Sequence, residues 1–202
     1  MTILCDRNIR DFMKAGLIQI TDFDDSMINP ASIDFRLGNK FGVIQPKQEV
    51  KHKQKQRYGG LGFVDDPFRT YTVDLPIDPS NKDSFSVEYV ERDEYKLGPG
   101  EFIIASSLES ITIPNNLCFI TKGKSSLGRL GLANSDQAGF VDPGWSGFIT
   151  LELYNHSRNT ILLKAGMRIG QWVFYVCSVP DKAYGEVGRY QGQGPAAGSK
   201  GI

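Results

Sequence analysis

The spacing of apolar and polar positions changes near the N-terminus, and that change organises the chain. Over residues 6–16, Ile9, Phe12 and Met13 recur at helical spacing between Asp6 and Gly16, which predicts one short helix with an aspartate cap and a glycine stop. Beyond it, most segments are short, rich in Ile, Val, Phe and Tyr, and punctuated by Gly, Pro and Asn. That is the pattern of strands and turns. Residues 32–37, 102–105, 117–121, 148–154 and 171–176 read as strands, with turn signals at Gly98-Pro99-Gly100, Ile113-Pro114-Asn115-Asn116 and Lys164-Ala165-Gly166. The count of short strands predicts a mainly β barrel or sandwich with few helical turns.

Two stretches depart from the pattern. Residues 45–66 are polar, carry Lys47, Lys51, Lys53 and Lys55, and lack periodicity, which predicts a solvated surface excursion within residues 45–95. The run Gly-Arg-Tyr-Gln-Gly-Gln-Gly-Pro-Ala-Ala-Gly-Ser cannot form a regular element and predicts a mobile tail or lid over residues 185–202. With 202 residues and 40% hydrophobic content, the chain can bury one sizeable core, so the expectation is a single domain over 1–202.

Charge narrows the function. Lys+Arg and Asp+Glu balance at 23 each, so nothing in the composition favours a nucleic-acid or anionic-membrane partner, and any anion site must be local. The first residues lack the apolar core of a signal peptide, and no run approaches the ~20 apolar residues that cross a bilayer, which predicts a cytoplasmic protein. Cys5, Cys118 and Cys177 are widely spaced among apolar neighbours and read as buried, reduced thiols. The histidines are His52 and His156 alone, without the Pro-Cys-x-x-Cys partners of a zinc nucleobase deaminase, so a deaminase built on this sequence must activate water without zinc.

Three segments could carry chemistry. Lys124-Ser125-Ser126-Leu127-Gly128-Arg129 sets two hydroxyls and two cations at the start of a short helical turn, where free N–H groups favour an anion and Ser125 and Arg129 share a face. Taken alone it also reads as a capped surface turn. From Gln137 to Gly147 the chain is hairpin-like, with small residues that let main-chain groups approach a flat ligand; a tight hairpin packed under Trp145 is the plainer reading. In residues 148–154, strand alternation puts Glu152 with Thr150 and Tyr154 and sends Ile149, Leu151 and Leu153 to the other face. Glu152 is the one acid of that strand.

In this order the segments resemble the dCTP deaminase family, which shares its fold with the trimeric dUTPases. The match runs through Leu4-Cys5-Asp6-Arg7, Ala31-Ser32-Ile33-Asp34-Phe35-Arg36-Leu37-Gly38-Asn39, Leu108-Glu109-Ser110-Ile111-Thr112-Ile113-Pro114 and Ser125-Ser126-Leu127-Gly128-Arg129-Leu130-Gly131-Leu132. It continues through Ala138-Gly139-Phe140-Val141-Asp142-Pro143-Gly144, Ile149-Thr150-Leu151-Glu152 and Gly166-Met167-Arg168-Ile169-Gly170-Gln171 to Arg189-Tyr190-Gln191-Gly192-Gln193. The resemblance implies a dUTPase-like distorted β-barrel of the β-clip type.

It also implies roles. Glu152 would shuttle protons as water adds to C4 of cytosine, Ser125 and the Ala138 carbonyl would hold that water, and Arg129 would brace Glu152 and Ser125. Gly139, Phe140 and Val141 would read the base. Asp142 would touch the deoxyribose 3′-OH or orient a hydrolytic water, and Trp145 would pack on the sugar. Lys124, Ser126 and Gln171 would meet the phosphates, with Tyr184, Arg189 and Gln193 closing over them. Mg²⁺ would ride on the triphosphate with few protein ligands. Family sites form between subunits, which implies a homotrimer, and dTTP is carried over as a candidate feedback ligand.

Ala138-Gly139-Phe140 resembles the members that deaminate dCTP and also cleave the triphosphate to dUMP and pyrophosphate; members that stop at dUTP more often carry His and Arg after that Ala. Gly139 is expected to leave space that a His would fill. The alternatives are a deaminase releasing dUTP, a plain dUTPase, which Glu152 disfavours, and a nucleotide-binding sensor without turnover. Departures from the family pattern are Ser135-Asp136-Gln137-Ala138 in place of His-x-Thr-Ala, and Lys124 in place of an arginine. Lys keeps the charge and loses the planar fork that grips phosphate in two places.

Overall fold

A computed structural model of the chain describes residues 2–46, 50–57, 63–73, 77–135 and 138–201, without the side chains of 46–76. Lys47 and Gln137 therefore lie outside the described residues, as do the side chains of Lys51, Lys53 and Lys55. The order begins β1 (Thr2–Ile3), α1 (Asp6–Lys14), β2 (Gln19–Ile20), a 3₁₀ turn (Asp25–Met27), β3 (Ile28–Asn29), β4 (Ser32–Arg36), β5 (Lys40–Pro46), β6 (Val50–Arg57) and β7 (Phe63–Val73). Then come β8 (Phe85–Glu91), β9 (Glu94–Leu97), β10 (Phe102–Thr112), β11 (Leu117–Gly123), α2 (Ser125–Gly128) and β12 (Leu132–Asn134). The chain closes with β13 (Phe140–Val141), β14 (Ser146–Asn155), β15 (Ile161–Lys164), β16 (Arg168–Val176) and α3 (Tyr184–Val187). Two compact units result, Met1–Val43 with Tyr89–Gly198, and Ile44–Glu88 with Ser199–Ile202.

The larger unit is built on antiparallel sheets. One runs β13-β11-β16-β4-β3, with β1 also on β16; in the other, β12-β14-β10 lie side by side and β2 and β5 pair with β10. Their inner faces fill one cluster that includes Phe35, Phe119, Trp172 and Phe174 from the first sheet and Ile103, Leu151 and Leu153 from the second, all fully buried. Phe35 stacks on Trp172 at 4.9 Å, and Phe119 tilts against Phe174 at 5.5 Å. Burying each such side chain stabilises the fold by ~1.5–3 kcal/mol, so this cluster fixes the register of the strands that carry the site.

The helix forms where the pattern placed it, with a different cap. Cys5, extended at φ −82°, is the N-cap and Asp6 is the first helical residue, so Asp6 acts through its charge in the first turn and not through a cap bond. Gly16 at φ +70° stops the helix as predicted: its N–H bonds to Met13 O at 2.9 Å and that of Leu17 to Phe12 O at 2.9 Å. Of the three thiols, Cys5 is exposed, contrary to expectation, because an N-cap lies at the helix mouth. Cys118 is buried, and burial together with the neighbouring Cys177 thiol pushes it up to about 11, which keeps it protonated and unreactive.

Three further expectations change. The aperiodic stretch contains a hairpin, β6 against β7, from Val50 opposite Val73 to Arg57 opposite Phe63. Lys and Gln at successive positions of β6 hide a strand from any reading that depends on apolar alternation. The segment before Trp145 is not a hairpin: β13 pairs with β11 (Val141 opposite Phe119), and β14 pairs with β10 and β12. The Asp142-Pro143-Gly144 turn, with Gly144 at φ +82°, thus hands the chain from one sheet to the other. The tail has no regular element after Val187, yet it is held on β14: Gly192 N–H bonds to Ser146 O at 2.8 Å, Phe148 N–H to Gln193 O at 3.2 Å, and Ala196 is fully buried. Among the described residues, no helix is long and apolar enough to cross a membrane.

Candidate active site

β14 offers its chemistry on one face. Ile149, Leu151 and Leu153 are buried in the core, and Thr150, Glu152 and Tyr154 alternate with them toward the surface, as the period-2 pattern requires. Glu152 stands half-buried opposite Ile104 of β10. Its carboxyl is raised from its ordinary value by burial, and among the described residues it meets no cation and no hydrogen-bond donor. A carboxyl in that condition takes up a proton more readily than a solvated one, which suits a group that must accept a proton during a reaction.

The backbone of Glu152 is held by Ser135, just past the end of β12. Ser135 N–H donates to Glu152 O at 2.9 Å, and Glu152 N–H donates to Ser135 Oγ at 3.4 Å. Further along, Ala138 is exposed, and the Gly139 carbonyl accepts from Thr121 N–H at 2.7 Å. The space expected at Gly139 is absent: a Cβ there would lie 2.8 Å from Thr121 O and 3.1 Å from Ser135 O, so two carbonyls close over the position. Phe140 is 57% exposed, Val141 is buried against the first sheet, and Asp142 is exposed.

The α2 turn forms as predicted, with Lys124 as its N-cap and Arg129 closing it by an N–H bond to Ser125 O at 3.0 Å. Ser125, Ser126 and Arg129 are exposed, and no contact among the described residues joins Ser125 or Arg129 to Glu152. A cavity of about 400 Å³ opens beside this turn, lined by Lys124, Ser125, Gly128, Asn134 and His156 among others. Lys124 does not project freely into it. Its Nζ lies 2.7 and 2.9 Å from the carboxylate oxygens of Asp34, which is 1% exposed and also accepts from Asn29 Nδ2 at 2.7 Å, with Arg168 at 3.5 Å. Gln171, opposite Asp34 in the sheet, accepts from Ser32 Oγ at 2.8 Å.

Trp145 is buried at 6% exposure, its ring 5.4 Å from that of Tyr184 at the start of α3 and its Nε1 donating to Gly147 O. The tail then brings Gln193 onto the polar face of β14, where Nε2 donates to Phe148 O at 2.9 Å and to Thr150 Oγ1 at 3.3 Å. Arg189 is exposed on the intervening turn.

Sequence reasoning missed Asp34 and the hydroxyl of Ser135, which bond Lys124 and the main chain of Glu152. A lone acid in an apolar strand, the signal that marked Glu152, was present in Ser32-Ile33-Asp34-Phe35 as well. Among the described residues no three His, Cys, Asp or Glu side chains gather as metal ligands.

Residues 3–177 match a family model described as dCTP deaminase-like. The chain is 40% identical over 200 residues to a protein of Tropheryma whipplei (strain Twist) named dCTP deaminase, dUMP-forming, a match covering 96% of this chain and 91% of that one. It is 38% identical over 200 residues to a Beutenbergia cavernae protein of the same name, over 96% and 93% of the two chains. Among solved structures, 2′-deoxycytidine 5′-triphosphate deaminase from Agrobacterium tumefaciens superposes with a TM-score of 0.57 at 22% identity, covering 86% of this chain and 48% of that one. At that identity the superposition speaks for the fold, and it agrees with the mainly β architecture that the sequence resemblance implies.

Proposed function

The chain belongs to the dCTP deaminase-like family, and we propose that its site removes the amino group of dCTP and cleaves the triphosphate, giving dUMP, ammonia and pyrophosphate. One water is consumed at C4 of the base and one at the α-phosphorus. The observation that carries this reading is Glu152, a carboxyl without a partner among the described residues and raised by burial on the polar face of β14. In the proposed reaction it takes a proton from water as the oxygen adds to C4 and passes it to N3, then takes the proton of the new C4 hydroxyl and delivers it to the amine, which leaves as ammonia while the C4 carbonyl forms.

Ser125 and the Ala138 carbonyl hold the attacking water in this reading, and Arg129 braces the carboxylate. Ser125 and Arg129 are exposed at α2 with side chains that bond to no described residue, which supports their serving Glu152 of a neighbouring copy in a homotrimer. Gly139, Phe140 and Val141 face the base, Trp145 lies under the sugar, and Asp142 orients its 3′-OH or the second water. Lys124, Ser126 and Gln171 meet the phosphates, and Tyr184, Arg189 and Gln193 close over them. Mg²⁺ arrives with the triphosphate: Asp34 is already engaged by Lys124, Asn29 and Arg168, and that arrangement fits an ion held by phosphate and water oxygens. dTTP, which shares the sugar and triphosphate, is the candidate feedback ligand, and the cytoplasm is the proposed place of action.

Incubation of the purified protein with dCTP or dUTP and Mg²⁺, following ammonia, dUTP, dUMP and pyrophosphate, tests the reading. Ammonia together with pyrophosphate is the expected result. Ammonia with dUTP would mean that only the first step occurs; pyrophosphate from dUTP alone would leave Glu152 without its role; and binding without product would make the chain a sensor.

A further inference from the structure

Ser135 stands where the family pattern has histidine, and its conformation is unusual. It has φ +49°, a left-handed backbone that non-glycine residues adopt at a cost, and it is 4% exposed. Strain of this kind persists only where surrounding contacts enforce it. Here those contacts run to Glu152. The β12–β14 ladder ends with Asn134 opposite Leu153, and Ser135 extends it by bonding both main-chain polar groups of Glu152, the carbonyl through its own N–H at 2.9 Å and the N–H through Oγ at 3.4 Å. The hydroxyl in turn donates to Asn134 Oδ1 at 3.1 Å, and Asn134 Nδ2 donates to Ile169 O at 3.3 Å, a relay that ends in the other sheet. Such chains strengthen one another because each donor is polarised by the next.

The same residue lies against Gly139, the neighbour of Ala138: a Cβ on Gly139 would lie 3.1 Å from Ser135 O. One residue thus touches the strand that carries the carboxylate and the neighbour of the residue whose carbonyl is read as holding water. We propose that Ser135 is a positioning residue that fixes Glu152 relative to Ala138. The inference rests on the deaminase reading of Glu152 given above. Its consequence is kinetic: loosening the Glu152 main chain moves the carboxylate off the line of proton transfer without weakening the grip on sugar and phosphates, so kcat falls and KM holds.

Ser135→Gly separates this role from a purely structural one. Glycine accepts φ +49° without strain, so the variant keeps the backbone and deletes the hydroxyl; Ser135→Ala deletes the hydroxyl and keeps the strain. The expected result for Ser135→Gly is a melting temperature at or above the parent's, a kcat for ammonia release from dCTP lower by about tenfold, and a KM within about twofold. Ser135→Ala should lose kcat similarly while melting lower, and if it fails to fold, the glycine variant alone decides. Parental kcat in Ser135→Gly, with Glu152→Gln inactive, overturns the inference and leaves the deaminase reading standing. A loss that appears as raised KM, or only in step with a lowered melting temperature, overturns it as well. Absence of ammonia from the parent protein overturns the deaminase reading, and this inference with it.

Discussion

The ion pair between Lys124 and Asp34 sets a thermodynamic prediction that the site's geometry makes unequal for its two partners. Asp34 is 1% exposed, whereas the Lys124 side chain is 26% exposed. Lys124→Met strands a carboxylate that water cannot reach. Removing one member of a buried pair costs ~3–5 kcal/mol, and because Asn29 at 2.7 Å and Arg168 at 3.5 Å still face Asp34, we set the loss near ~3 kcal/mol. Asp34→Asn leaves instead an ammonium that can turn into solvent, so its cost is the lost charge-assisted bonds, ~2 kcal/mol. The double variant removes both charges and should fall short of the sum by ~1–2 kcal/mol, the coupling of a contacting pair. The assay is urea unfolding at one protein concentration; with a slope of about 3 kcal/mol per molar, Lys124→Met moves the midpoint down by about 1 M. Additive losses, or a larger cost for Asp34→Asn than for Lys124→Met, would refute the reasoning, since either means that the ammonium is not committed to Asp34.

The remaining predictions concern the carboxylate, the turn and the tail. Burial raises the Glu152 carboxyl above its ordinary 4.5, so the folded chain holds that proton more tightly than the unfolded chain, and the stability this contributes is full below about 4.5 and lost as pH rises through the folded value. Glu152→Gln should therefore melt higher than the parent at pH 7, with the gap closing toward pH 4, while ammonia release disappears; melting curves across that range check it, and a gap that widens on acidification would count against it. Gly139→Ala forces a Cβ to within 2.8 Å of Thr121 O and should destabilise by ~1–3 kcal/mol, read by thermal unfolding; no loss would mean that the turn has slack. Gly147 lies at φ +143°, and a Cβ there would meet Gln193 N at 3.1 Å and Gln193 O at 3.2 Å, so Gly147→Ala should lift the tail from β14 and speed its proteolysis with the core intact; an unchanged cleavage rate counts against the anchoring.

What the sequence made legible is what local periodicity encodes. β14 was readable because Ile149, Leu151 and Leu153 alternate strictly with polar residues, so a single register puts Glu152 on the outer face. The stop of α1 was readable because Gly16 needs a positive φ, though its cap was misplaced by one residue, since Cys5 caps without a side-chain bond to the helix backbone and is not a residue type that marks a cap. β6 was not readable, because no apolar alternation distinguishes its Lys and Gln positions from a loop. β13 was assigned to the wrong partner for a different reason: Asp142-Pro143-Gly144 says that the chain turns, and nothing within it says which strand is rejoined.

The candidate site divides along the same line. Glu152, Ser125 and Arg129 were singled out because each is chemically conspicuous against its immediate neighbours. The contacts that folding adds around the candidate residues come from far off in the chain: Asp34 takes hold of Lys124 across a separation of 90 residues, and Ser135 bonds the backbone of Glu152 across 17. A side chain's identity is a property of one position, whereas the direction of a lysine's charge or the strain at a serine is a property of two, and only folding brings the second position near. Lys124 shows the difference. In sequence it is a cation next to two hydroxyls and reads as a phosphate grip; in the fold its charge is largely spent on a buried carboxylate. A triphosphate must therefore either share that ammonium with Asp34 or be held mainly by other groups, Arg129 and the tail cations among them. Substitutions at Asp34, which touches no phosphate in the proposed site, should then alter nucleotide affinity through the cations it holds, Lys124 first and Arg168 at 3.5 Å.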